Sequence, residues 1–92
     1  MTVKFIKLVN GDDLVSQIEE FDDVIDLTMP ARVRVVREEG APKTLVELYL
    51  PHIKGFSCSI PASSVLLTAE PNDSLLTYYS ENILPIRVMP TA

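Results

Sequence analysis

Tryptophan is absent, cysteine occurs once and glycine three times in these 92 residues. The single cysteine, Cys58, excludes an internal disulfide and fits a reducing compartment. Beside only one histidine, His52, it leaves a zinc site within one chain without a ligand set. So few glycines do not make a phosphate-cradling loop. Ser63 and Ser64 have no nearby base and no nucleophile-elbow context. No apolar run approaches the roughly 18 residues of a membrane helix. "MTVKFIKLVNG" has no uninterrupted apolar core and no small-residue cleavage site, so it reads as structure and not as a signal peptide. The expectation is a soluble cytoplasmic protein that is not an enzyme, with no cofactor, no metal and no membrane partner.

Positive charge is also scarce. The net charge is −5, with 8 Lys and Arg against 13 Asp and Glu. Asp12, Asp13, Glu19, Glu20, Asp22, Asp23 and Asp26 face only Lys4 and Lys7 in the first 26 residues, and the rest of the chain is balanced. Nucleic-acid binders draw most of their affinity from phosphate neutralisation and are usually basic. The one basic strip is "RVRVVR", which puts Arg32 and Arg34 on one face of a strand. Such arginines can track a phosphate backbone, or pair across strands with Glu38, Glu39 or Glu47.

What is present is β pattern. "VKFIKLV" and "LVSQIEE" read as strands around Asn10-Gly11, a strong hairpin signal. "IDLTMP" and "ARVRVVRE" read as extended, with Pro30 marking a break or an edge. "TLVELYL" and "VLLTAE" are apolar on both faces, whereas in a small domain most strands have one wet face. Burial by neighbouring subunits is the simplest explanation. "FSCSIP" alternates, with Phe56, Cys58 and Ile60 on one side. "PND" starts a helix or coil through "SLLTYYSENIL", capped by Asn72 or Asp73. The tail "PIRVMPTA" is a candidate edge strand. The expected fold is all-β: one domain over 1–92, a small, strongly bent antiparallel barrel of about five strands in 1–70, and a C-terminal extension over 71–92.

One stretch carries a resemblance. Leu8, Asn10-Gly11, Leu14, Ser16, Ile18, Phe21-Asp22, and Ile25, Asp26 and Leu27 follow the spacing of the first motif of Sm and Sm-like proteins. Ser16 stands where that motif has glycine and Asp26 where it has asparagine. "SIPASSVLL" has the shape of the second motif, with Pro61-Ala62 in place of Arg-Gly. "KLVNGDDL", "YLPHIKG" and "VLLTAEP" also look like small Sm-like proteins of marine bacteriophages, which implies a bacterial or phage-infected cell. The resemblance implies a homo-oligomeric ring of about five to seven subunits closed by edge-to-edge strand pairing.

It also implies a single-stranded RNA site at the pore. Carried over by position, its residues are Asp22, Val24, Asp26, Pro61 and Ala62, and none is an aromatic or a cation able to stack on a base. Ionised Asp26 accepts hydrogen bonds but does not donate them. Two readings follow: an RNA-associated ring that binds through Arg32 and Arg34, or a scaffold that keeps the ring without RNA and whose acidic face steers a basic protein partner. Asp22, Asp23 and Asp26 do not have the spacing of a Ca²⁺ loop, and solvated acids are the simpler reading. Tyr78 and Tyr79 are expected to pack against the barrel more than to stack on bases.

Overall fold

In the computed structural model, residues 2–49 and 51–86 are described. The apolar alternation of the first half folds as a meander. β1 (Thr2–Leu8) pairs antiparallel with β2 (Asp13–Glu20), β2 with β3 (Val24–Glu38), and β3 with β4 (Ala41–Leu48). β5 (Ser57–Pro61) and β6 (Val65–Ala69) flank a 3₁₀ turn over Ala62–Ser64. The sheet order is β4-β3-β2-β1-β6, with β5 also on β3.

Among the described residues the strands thus number six, not five, and the sheet is strongly bent without closing, since no ladder there joins β5 to β6. β3 explains both differences. Its first half, Val24–Thr28, pairs with β5, and its second half, Ala31–Glu38, pairs with β4. β4 and β5 therefore lie end to end along one side of β3, as a single strand interrupted by residues 49–56. Pro30 does not divide β3 as its sequence suggested. It sits inside the continuous strand, beside Met29, whose φ of 54° makes the bend.

The ladder between β2 and β3 shifts register between Val15 and Gln17, around Ser16. Ser16 is buried, and its hydroxyl lies 2.9 Å from the Gln17 carbonyl oxygen and 3.0 Å from that of Thr28. A serine thus occupies the bent position where the motif has glycine, with its one polar group satisfied.

Only Gly11 of the Asn10-Gly11 pair takes positive φ, at 96°. The turn is longer than two residues: the Leu8 carbonyl accepts from Gly11 N, and the Asn10 side chain accepts from Asp12 N. Such an Asx contact holds the turn without a second left-handed residue.

The bent sheet has two apolar layers. Inside the curve, Ile6, Leu8, Leu14, Ile18, Ile25 and Leu27 form one core, joined by Cys58 and Ile60. On the outer face, Val15, Met29 and Ala31 meet Tyr79 and Ile83. Both lie in the π turn Tyr79–Ile83, which continues α1 (Asp73–Tyr78), a helix whose cap Asn72 accepts from Leu75 N at 2.8 Å. Phe56 departs from the expected alternation. It lies in a short 3₁₀ segment with φ of 51° and packs on the outer layer, while Cys58 and Ile60 pack inside. The edge strand expected in "PIRVMPTA" lies largely outside the described residues, in 87–92.

Candidate functional site

The residues that the two motifs nominate do come together. Phe21 N donates to the Val24 carbonyl at 2.9 Å and closes the β2–β3 turn, which exposes Asp22 and Asp23. Val24 stands opposite Pro61 in the β3–β5 ladder, and Asp26 opposite Ser59. The Ala62 amide donates to the Asp23 carbonyl at 2.9 Å. Asp22, Val24, Asp26, Pro61 and Ala62 therefore share one end of the bent sheet.

The chemistry there is acidic. Ser59 Oγ donates to Asp26 at 2.5 Å, a contact that sequence reasoning missed because nothing in "FSCSIP" singles out Ser59. Phe21, 54% exposed, stands among Glu19, Glu20, Asp22 and Asp23. None of those four acids meets a cation among the described residues. The neighbouring Cys58 thiol is pushed above its ordinary value, first by burial and then by the Asp26 charge, so it is a poor nucleophile. No three of His, Cys, Asp and Glu form a metal-holding group among the described residues.

Arg32 and Arg34 are not part of this cluster. They lie past the Met29–Pro30 bend, in the half of β3 that pairs with β4. Both are engaged by acids: Arg34 Nη2 is 2.9 Å from Glu47, and Arg32 Nη2 is 3.4 Å from Asp12. Asp12 is a hub, because it also accepts from Tyr49 Oη at 2.9 Å and from Asn10 Nδ2 at 3.2 Å. Burial raises the Tyr49 phenol above its ordinary value, with the Asp12 hydrogen bond and charge adding to it. The hub was invisible in the sequence because Tyr49 and Asp12 are far apart in the chain. The two tyrosines of the C-terminal segment part company: Tyr79 is fully buried and Tyr78 is exposed.

Compared with known families and with curated proteins, the chain matches none.

Proposed function

We propose that the chain is a ring-forming scaffold of the Sm-like kind, which assembles through its open sheet edges and does not hold RNA in a uridine pocket. The observation behind this reading is β6. Among the described residues it ends the sheet with an unpaired ladder edge, and Leu66 and Leu67 on it are 63% and 46% exposed. An unpaired apolar edge invites another strand. Among the described residues the outer sides of β5 and β4 are unpaired as well, so head-to-tail pairing of β6 with β5 of the next copy satisfies two of the three edges and closes a ring.

Two features speak against RNA. The positions that would face a pore carry Asp22 and Asp26, and Arg32 and Arg34 already hold acids. A rim of unpaired carboxylates instead attracts a basic protein.

Sedimentation should give about five to seven times the 10.2 kDa of one chain. Leu66→Lys should lower that mass, and a wild-type monomer at every concentration would refute the ring. Labelled oligo-U, oligo-A and mixed single-stranded RNA should show no anisotropy change at about 50 mM salt. Binding that weakens steeply with salt and is lost on replacing Arg32 and Arg34 would establish the RNA-associated reading instead.

A further inference from the structure

Among the described residues no ladder joins β5 to β6, and on that side the inner core is incomplete. A cavity of about 280 Å³ is lined by Cys58 and Ile60 of β5, Leu8 and Val9 from the end of β1, Leu27 of β3, and Tyr49. Leu8, Leu27, Cys58 and Ile60 all belong to the inner apolar layer, so the cavity is a gap in that layer. No charged side chain lines it. It is smaller than the roughly 300–1,000 Å³ of most small-molecule sites, which suits an apolar side chain better than a ligand.

The geometry of β6 selects the occupant. Of the large apolar side chains exposed among the described residues, Leu66 and Leu67 are the ones on an edge strand. Lys7 stands opposite Leu67 and Leu8 opposite Val65, so the register shift leaves Leu66 without a partner on β1. Such an inserted residue re-aims a side chain at a sheet edge. Thr68 stands opposite Ile6, a core residue, and Leu66, two residues before it, shares its face of the strand. Leu67 takes the other face, with Lys7. On β5 the core face belongs to Cys58 and Ile60. Paired strands set side chains of one face side by side. When β6 of one copy pairs with β5 of the next, Leu66 therefore meets Cys58 and Ile60 at the gap, and Leu67 does not.

We propose that Leu66 of one copy fills this gap in the neighbouring copy, seated against Cys58 and Ile60, so that each inner core is completed by the next chain. The inference rests on the head-to-tail pairing of β6 with β5 and names the contact that carries it.

Cys58 is the sole cysteine, so it reports on the contact directly. In the wild-type protein its alkylation by iodoacetamide at about pH 9, where thiolate forms, should be several-fold slower in the assembled than in the diluted protein. Leu66→Ala should speed it several-fold at equal concentration. Leu66→Cys supplies a second readout. The two thiols of adjacent copies then come within the roughly 4.4–6.8 Å Cα separation of a disulfide. Oxidation by copper–phenanthroline in air should link chains head to tail, giving a ladder beyond the dimer on a denaturing gel without reductant. Adding Cys58→Ser should abolish every band above the dimer, and Leu67→Cys should give no ladder.

Sedimentation of the same samples separates the two ways of failing. An assembled wild type whose Cys58 reacts as fast as in the diluted protein would overturn this contact and leave the ring standing. So would an assembled Leu66→Cys that gives dimers alone, or a ladder from Leu67→Cys equal to that from Leu66→Cys. A wild-type monomer at every concentration would overturn the ring and the contact together.

Discussion

Tyr79 makes with one hydroxyl the bonds that the ladder leaves unmade at its bend. Its Oη donates to the Met29 carbonyl at 2.7 Å and accepts from Gln17 N at 3.2 Å, where the β2–β3 register shifts. Tyr79→Phe keeps the ring but strands both backbone groups in a buried place, so it should cost about 1–3 kcal/mol in urea unfolding. Burial pushes the phenol up to about 12, against the lowering effect of the Gln17 amide. The folded state therefore keeps this proton after the unfolded chain has lost it near about pH 10. The stabilisation is complete below that pH and disappears as pH rises towards 12. Stability measured by urea midpoints should fall over that window in the wild type. In Tyr79→Phe the fall should be smaller.

At the scale of elements, α1 and its π turn behave as part of the core and not as an appendage. They cover Val15, Met29 and Ala31 on the outer face of the sheet. Asn72→Ala removes the cap and should cost about 1 kcal/mol, read from the thermal or urea midpoint. Ending the chain at Glu70 should uncover the outer layer and give a protein that binds a hydrophobic dye or aggregates.

The strands of the meander were legible because their apolar positions alternate around recognisable turns, and the cap was legible as Asn72 or Asp73, of which the helix uses Asn72. The interruption between β4 and β5 was legible at "PHIKG", but that both flanks share one edge was not, because only the β3 ladder shows it. The choice between Tyr78 and Tyr79 was also hidden. Adjacent helical residues point about 100° apart, so the landing of the helix on the sheet decides which one is buried. Asp22, Val24, Asp26, Pro61 and Ala62 were grouped only by position in the resemblance to Sm-like motifs, and the β3–β5 ladder places them together. The neutralisation of Arg32 by Asp12 depends on how the first turn folds back, which no local pattern records.

At the scale of the whole molecule, charge is unevenly placed. Five of the described cations, Lys4, Lys7, Arg32, Arg34 and Lys43, hold an acid, Arg37 and Lys54 do not, and the β2–β3 turn keeps its carboxylates without a cation among the described residues. Capture of a basic partner by this face should slow several-fold between about 50 and 200 mM salt, as measured in stopped flow, because screening removes long-range steering.

The topology also sets a timetable. β1 to β4 pair with their immediate sequence neighbours, whereas β6 must find β1 at the far end of the chain, bringing Thr68 to Ile6. Closing so long a loop costs entropy before any contact rewards it, so the meander forms first and β6 arrives late. The strand that arrives last is the one that carries Leu66 and Leu67. Refolding is thus the moment of greatest risk: yield should drop as protein concentration rises, and Leu66→Lys should restore it.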